Sequence, residues 1–162
     1  MKIAIISDVH DQIPNLKKAL AQAADTDVLI CCGDLCSPFI AKHLGEGYTR
    51  PIHIVFGNND GDRYRIALNA GAFPQITLHG EYVELELGGR IFAVNHFDNI
   101  GRGLAKGGAF DVVCFGHNHR FEVTTQGRTL VINPGEIYGG LTGEAGFVIY
   151  DTETHTAERV PL

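Results

Sequence analysis

The amino-acid sequence predicts an α/β fold whose second half changes to β-hairpins. The first observation is a set of short apolar runs, such as KIAII and VLICC, which are typical of parallel strands buried on both faces. The second is the helical spacing of apolar residues between those two runs. The third is a series of short strand patterns separated by glycine turns. Together they predict an α/β core with mixed sheets in a single domain, residues 1–162.

The first half of the chain reads as strands that alternate with helices. Pro14 stands at a favoured first-turn position of a helix, and Leu16, Ala19 and Leu20 follow at helical spacing. A crossover of this strand–helix–strand kind is almost always right-handed. Strands are predicted over 2–7, 27–32, 52–56 and 111–115, and helices from Pro14 and over 39–44, 64–70 and 100–108.

Three hairpins complete the prediction. The segment 75–94 holds short strands around Gly88-Gly89, and residues 81–87 alternate polar and apolar, so one face should be solvated. The other two hairpins are predicted over 121–125 with 128–132, and over 146–150 with 155–160.

Composition narrows the partners that this chain can bind. The formal net charge is −6 and the sequence pI is about 5.7, so a long nucleic acid is not the expected partner. Bound divalent cations would still allow a local phosphate site on an acidic protein.

No apolar run reaches the roughly 20 residues of a membrane helix, and no signal peptide precedes the first strand. Four cysteines without a CxxC pattern suit a reducing compartment, so the cytoplasm is expected.

Metal-ligating residue types follow the predicted strands in five places. The carboxyl ends of strands in α/β sheets meet at the edge where function gathers, so these side chains should lie close together. The clusters, in chain order, are Asp8-Val9-His10, Gly33-Asp34, Gly57-Asn58-Asn59-Asp60, His96 and Gly116-His117-Asn118-His119.

The ligand types indicate the chemistry. Carboxylate and imidazole without thiolate suit Mn, Fe, Co, Ni or Zn rather than Cu(I) or an iron–sulfur cluster. Seven such side chains are enough for two divalent ions, which clamp both oxygens of an in-line displacement and turn a bridging water into the nucleophile. A phosphorus ester is the natural substrate, since its free oxygens can bind both ions as charge develops.

The ordered motifs DxH, GD, GNxD, H and GHxH resemble those of the calcineurin-like metallophosphoesterase superfamily. The small size and the Asn133-Pro134-Gly135 segment are similar to its compact bacterial and archaeal phosphodiesterase branch, to which the retromer scaffold subunit is also related. The resemblance covers nearly the whole chain. It implies a sandwich of two mixed β-sheets flanked by helices, with no cap domain.

The resemblance also implies roles for individual residues. Asp34 would bridge two divalent ions, with manganese expected first and iron, nickel, cobalt or zinc as alternatives. Asp34, Asn58 and His96 would form the catalytic group, with Asn58 also holding the phosphate. Asp60 would orient Asn58 or a neighbouring group. The first ion would take Asp8, His10, Asp34 and His119, and the second Asp34, Asn58, His96 and His117.

Three positions depart from the family pattern and bear on the substrate. Asn59 stands where phosphatase branches have a histidine proposed as a proton donor, and an amide cannot supply a proton. Phe97 and Asp11 stand where glycine is usual, so the pocket should be narrower and its rim more acidic. Arg102 and Arg63 follow ligand motifs and are candidates for contact with a substrate phosphate.

The predicted function is a dinuclear metal-dependent phosphodiesterase that hydrolyses small phosphate esters by attack of a metal-bridging hydroxide. One alternative is a non-catalytic metal-binding scaffold for protein partners, which could lose ligands freely, whereas here every expected position is filled. A phosphomonoesterase is a second alternative. A nuclease is a third, but it would need basic surface and extra DNA-binding elements. A homo-oligomer is left open.

Overall fold

The computed structural model describes residues 1–162 and contains eleven strands and four helices. None of the helices is both long and apolar enough to span a membrane. In chain order the elements are β1 (Lys2–Ile6), α1 (Ile13–Gln22), β2 (Val28–Cys31), α2 (Pro38–Gly47), β3 (Ile52–Ile54), α3 (Arg63–Gly71), β4 (Ile76–Leu78), β5 (Tyr82–Leu87), β6 (Arg90–Asn95), α4 (Asp98–Gly107), β7 (Val112–Cys114), β8 (Phe121–Gln126), β9 (Thr129–Pro134), β10 (Gly146–Asp151) and β11 (Thr156–Pro161).

The strands form two mixed sheets. One has six strands in the order β11-β10-β1-β2-β3-β4, and the other has five in the order β5-β6-β7-β9-β8. In the first, β1 to β4 run parallel, β10 is antiparallel to β1, and β11 is antiparallel to β10. In the second, β6, β7 and β9 run parallel between the antiparallel edges β5 and β8. The prediction of an α/β fold with two mixed sheets flanked by helices is confirmed.

The alternation of side chains along β1 explains why its apolar run is unbroken. Ile3 and Ile5 are fully buried between the two sheets, where they join Ile30 and Phe92 in one core cluster. Ala4 and Ile6 point the other way and pack with residues of α1 and α2. Because successive side chains of a strand lie on opposite faces, a strand covered on both sides must be apolar throughout. Helix α4 covers the outer face of the five-stranded sheet.

The segment 75–94 differs from the predicted local group of short strands. Strand β4 pairs in parallel with β3 in the six-stranded sheet, whereas β5 and β6 form a hairpin in the other sheet. Ile76 and Leu78 of β4 pack against Ala41 of α2 and Ile66 of α3, so tertiary burial assigns this strand to its sheet. Local alternation carries no information about which of two sheets a strand joins.

The glycine-rich helix α4 begins at Asp98, two residues before the predicted start. A carboxylate in the first turn is favourable because it faces the positive end of the helix dipole. The helix ends at Gly107 and is followed by Gly108, whose φ of 66° is left-handed, a conformation that glycine adopts without steric cost.

Candidate metal centre

The loops that leave β1, β2, β3, β6 and β7 meet at one edge of the sandwich. Asp8 and His10 follow β1, and Asp34 follows β2, and the backbone joins these loops directly. The amide of Asp8 donates to the carbonyl of Gly33 at 3.1 Å, and that of His10 donates to the carbonyl of Asp34 at 3.1 Å. From the other sheet, the amide of Gly116 donates to the carbonyl of His96 at 3.0 Å. The site is therefore built between the two sheets.

The seven predicted ligand side chains are all brought together, in an unbroken series of short contacts. Successive distances are 2.9 Å from His117 Nδ1 to Asn58 Oδ1, 3.1 Å from that oxygen to His96 Nε2, 3.4 Å from His96 Nε2 to Asp34 Oδ2, 3.4 Å from Asp34 Oδ2 to His10 Nε2, 3.6 Å from His10 Nε2 to Asp8 Oδ1, and 3.4 Å from Asp8 Oδ1 to His119 Nε2.

Asp34 lies in the middle of this series. Its Oδ2 atom is 3.4 Å from His10 Nε2 on one side and 3.4 Å from His96 Nε2 on the other. Asp8, Asp34 and His96 are buried, whereas Asn58 and His117 are exposed. The cluster is thus closed at its base and open to solvent at the Asn58–His117 end.

Hydrogen bonds set the orientation of two imidazole rings. His96 Nδ1 lies 2.7 Å from the carbonyl oxygen of Cys32, which can only accept, so this nitrogen carries the proton. His119 Nδ1 lies 2.6 Å from Glu136 Oε2. In both rings Nε2 is left as the acceptor and faces the cluster, the arrangement seen when a histidine binds a metal and a second group fixes its tautomer.

Glu136 contacts the cluster through His119, although the sequence analysis did not select it. Its carboxylate is fully buried. Besides His119, it accepts hydrogen bonds from the Thr142 hydroxyl at 2.7 Å and from the backbone amide of Thr142 at 2.8 Å. Burial alone would raise the pKa of Glu136, but these hydrogen bonds from Thr142 and the contact with His119 hold it below the usual range. A signal was present, since Glu136 follows the end of β9 as the other clusters follow their strands.

Five of the seven side chains sit on left-handed backbone. A positive φ is uncommon outside glycine, and such residues collect at functional sites, where the surrounding structure holds them. The φ values are 53° at Asp8, 43° at His10, 57° at Asp34, 71° at His117 and 62° at His119. This backbone turns each side chain from its loop towards the common centre.

Close packing around the carboxylates explains the glycines that begin two of the motifs. A side chain at Gly57 would overlap the Asp34 carboxylate, and one at Gly116 would overlap Ser7 Oγ and Asp8 Oδ2. Neither glycine is left-handed, so each is needed for the space that it leaves rather than for its backbone conformation. Their place in the motifs has a steric cause.

The electrostatics of the cluster favour a positively charged occupant. The contact with Asp8, whose Oδ1 atom lies 3.6 Å from His10 Nε2, raises the pKa of His10 above its usual value, with further help from the charge of Asp34. Burial lowers the pKa of His96, but contacts with Asp34 and Asp8 outweigh it, and the net shift is upward. Burial likewise opposes the charge on Asp34, yet contacts with His96 and hydrogen bonds from Asn59 keep its pKa far below normal.

Two orphaned atoms test whether a cation fits. Asp8 Oδ1 and His10 Nε2 are buried and have no hydrogen-bond partner, although buried polar atoms nearly always have one. Asp8, His10 and His119 form one group able to hold a metal ion, and Asp8, Asp34 and His96 form another. The residues present therefore fit divalent ions, because a cation at the cluster would contact both of these unpaired atoms.

Asp60 and Asn59 hold parts of the cluster in place through hydrogen bonds. The buried carboxylate of Asp60 accepts four backbone N–H bonds, from Asp34 at 3.2 Å, Leu35 at 2.7 Å, Cys36 at 3.0 Å and Gly57 at 2.6 Å. It thus holds the loops that carry Asp34 and Asn58. Asn59 donates to Asp34 through its backbone amide at 2.8 Å and its side-chain amide at 2.8 Å, so it orients that carboxylate.

The remaining candidates lie around the cluster. Phe97 packs edge-on against the rings of His96 and His117, with centroids 5.4 Å and 5.2 Å away. Asp11 accepts a hydrogen bond from the backbone amide of Ser37 at 2.9 Å and so holds the loop before α2.

The guanidinium of Arg102 pairs with Glu122. The guanidinium of Arg63 lies 2.7 Å from Glu81 Oε1 and also donates to the Gly57 carbonyl at 3.1 Å. Both arginines have carboxylate partners within the protein.

Comparison with known proteins identifies the family of this chain. Residues 1–155 match the family model of the calcineurin-like phosphoesterase superfamily domain. A phosphodiesterase of Methanocaldococcus jannaschii is 35% identical over 166 aligned positions, covering 100% of this chain and 99% of that protein. The family predicted from the motifs is confirmed.

Solved structures extend the comparison. An archaeal phosphodiesterase superimposes with a TM-score of 0.93 at 32% identity, covering 100% of both chains. A Vps29 variant from Entamoeba histolytica superimposes with a TM-score of 0.69 at 17% identity, covering 100% of this chain and 99% of that one. At that identity the second likeness concerns the fold alone.

Proposed function

This chain belongs to the calcineurin-like phosphoesterase superfamily and is a metal-dependent phosphoesterase, and we propose that it is a dinuclear phosphodiesterase acting on small esters. The observation that carries the dinuclear proposal is the central place of Asp34. Its Oδ2 atom is equally distant from the histidines on either side, at 3.4 Å. One carboxylate oxygen can therefore serve two ions, with Asp8, His10 and His119 on one side and Asn58, His96 and His117 on the other.

Two divalent ions held there would neutralise phosphate charge and lower the pKa of a nearby water. The residues of the chain do the rest. Hydrogen bonds from Asn59 orient Asp34, and the contacts of His96 with Cys32 and of His119 with Glu136 keep a proton on Nδ1 of each ring. Asn58 turns Oδ1 to His96 and His117, so its exposed amide nitrogen can donate to a phosphate oxygen.

The preference for diesters rests on the absence of an acid at position 59. A monoester with a poor alkoxide leaving group needs a proton donor more than an activated diester does, and the backbone and side-chain amides of Asn59 both donate to Asp34. A relative at 35% identity is a phosphodiesterase, which supports the same choice. The open Asn58–His117 end suits small soluble esters.

The native ion, the compartment and the domain organisation are further parts of the proposal. We propose manganese as the native ion, with iron, nickel, cobalt or zinc as alternatives, since oxygen and imidazole donors without thiolate suit all of these. All four cysteines are free, which suits the reducing cytoplasm. We propose that residues 1–162 act as one domain.

Hydrolysis of bis(p-nitrophenyl) phosphate beside p-nitrophenyl phosphate tests the proposal. The protein is first stripped of metal and then titrated with Mn²⁺, with Zn²⁺ and Ni²⁺ in parallel. We expect metal-dependent cleavage of the diester and little of the monoester, with two ions bound at full activity.

Three outcomes would contradict parts of this proposal. Equal cleavage of both esters would favour a phosphomonoesterase. Full activity with one bound ion would remove the dinuclear site. Two bound ions without cleavage of either ester would favour a metal-binding scaffold, and the next experiment would then be a search for protein partners.

A further inference from the structure

A cavity lies directly beside the metal centre. It has a volume of about 430 Å³, within the range of small-molecule sites. It is formed where the end of β6 and the start of β5 face helix α4. Its lining residues are Glu81, Tyr82, Asn95, Phe97, Ile100 and Leu104.

Phe97 joins this cavity to the metal centre. Its ring lines the cavity and also packs against His96 and His117, at 5.4 Å and 5.2 Å between centroids. On the rim, Glu81 is held by Arg63, which also binds the carbonyl of Gly57 in the Asn58 loop. A phosphate ester bound at the cluster therefore lies about one aromatic ring from the cavity.

The walls and the floor of the cavity differ in character. Tyr82 and Phe97 are flat aromatic walls, and Ile100 and Leu104 add aliphatic ones. Asn95, which pairs with Tyr82 across the β5–β6 hairpin, is only 2% exposed. Both polar atoms of its amide lack a hydrogen-bond partner. An orphaned buried amide needs an explanation, and a ligand that enters the cavity would supply the missing donor and acceptor.

We propose that this cavity is the subsite for one organic group of the substrate, a flat aromatic ring with a hydrogen-bonding edge. Such a ring stacks on Tyr82 and Phe97, and Asn95 offers a paired donor and acceptor to its edge. Ester groups without a ring would leave the cavity unfilled and the amide unpaired. This inference rests on the proposed function, because it assigns substrate selectivity to the same site.

Binding of three phosphates to the metal-loaded protein tests the proposal by calorimetry. Thymidine 5′-phosphate carries a ring with an amide-like edge, phenyl phosphate carries a plain ring, and methyl phosphate carries none. We expect thymidine 5′-phosphate to bind about tenfold more tightly than methyl phosphate, with phenyl phosphate between them. Equal affinity for all three compounds would overturn the proposal.

Matched variants locate the effect. Tyr82 is 40% exposed and Tyr64, on α3 and outside every cavity, is 74% exposed. Tyr82→Ala should remove the preference for aromatic phosphates, while Tyr64→Ala should keep it. Asn95→Leu, which keeps the branching of the side chain but removes its donor and acceptor, should lower the affinity for thymidine 5′-phosphate to that for phenyl phosphate. If Tyr82→Ala behaves as Tyr64→Ala does, the cavity is not the subsite.

The binding result is independent of catalysis. Hydrolysis of methyl p-nitrophenyl phosphate by the same preparation reports on the proposed function, because cleavage needs the metal centre whether or not the ring fills the cavity. If this diester is not cleaved but aromatic phosphates still bind through Tyr82, the proposed function fails and the subsite stands. If it is cleaved and the three phosphates bind equally, the subsite fails and the proposed function stands.

Discussion

His119 Nδ1 lies 2.6 Å from Oε2 of the buried Glu136, on the side of the ring away from Asp8. The carboxylate keeps the proton on Nδ1, so Nε2 is free to bind a cation next to Asp8 Oδ1. Histidines held in this way are stronger and better oriented ligands. Glu136 therefore belongs to the site although it faces away from the cluster.

Glu136→Gln should weaken metal binding on the His119 side about 10–100-fold, the usual loss when such a supporting partner is removed. Calorimetric titration of the metal-stripped protein measures it. Glu86→Gln, on the solvated face of β5, is the matched control and should change nothing. Unchanged affinity in Glu136→Gln would show that His119 needs no partner.

Asp34→Asn should abolish turnover and cost at least one of two bound ions, because an amide is a weak ligand and Asp34 faces both halves of the cluster. Metal content and diester hydrolysis are measured on the same sample. Asp25→Asn, at an exposed position, is the control. Near-normal turnover with both ions retained would refute the bridging assignment.

Asp60→Asn should destabilise the fold as well as the site. An amide nitrogen would replace one oxygen that now accepts backbone N–H groups of Leu35 and Cys36 or of Asp34 and Gly57. Leaving such a buried donor unpaired costs about 1–3 kcal/mol, which a urea titration can measure. Asp62→Asn, at the exposed start of α3, should cost less. Equal losses would argue against a special role for Asp60.

Metal affinity should fall as the pH falls. The pKa values of His10 and His96 are raised in the metal-free protein, so both rings keep their protons closer to neutral pH than free histidine does. An incoming ion must displace those protons. We expect proton release on binding, measured by calorimetry in buffers of different ionisation enthalpy. Affinity that is independent of pH between 5 and 8 would contradict histidine ligation.

The same shifts predict the stability of the metal-free protein. A folded-state pKa above the unfolded value stabilises the fold below the unfolded pKa, and this contribution is lost as the pH rises through the folded value. For His10 and His96 the loss should occur above the normal histidine range. Glu136 has a lowered pKa, so its contribution is present above the unfolded value and is lost on acidification. Thermal unfolding across pH without metal measures both.

Asn59→His should raise the ratio of monoester to diester hydrolysis, since an imidazole can protonate a leaving alkoxide where an amide cannot. The same change removes the Asn59 side-chain bond to Asp34, so total activity should fall. Asn59→Ala separates the two effects, because it loses the bond without adding an acid. If the ratio is the same in all three proteins, position 59 has no part in leaving-group protonation.

Much of the fold was predictable because buried strands and helix ends have recognisable local sequence patterns. Strands covered on both faces, such as β1, must be apolar throughout, and Pro14 or Gly108 mark helix ends locally. The assignment of β4 to one sheet and of β5 to the other was not predictable. Both are short strands after a turn, and only packing against α2 and α3 separates them.

The candidate ligands could be chosen from the sequence because each follows a strand and each is a residue type that binds cations. The sequence could not show which of these side chains contact one another. Asn133-Pro134-Gly135 was read without Glu136, because one carboxylate after a strand looks like any other until its distance to His119 is known. Arg102 looked free for substrate, and only the fold brings Glu122 to it.

The sequence by itself determined the strand and helix order, the ligand types and hence the family chemistry, because these depend on local periodicity and on side-chain functional groups. Tertiary structure decided which groups share Asp34, which carboxylate holds His119, and that Asn95 faces a cavity beside the site without a partner. Those relations join residues far apart along the chain, and their energies depend on distance and burial, which exist only once the two sheets have packed.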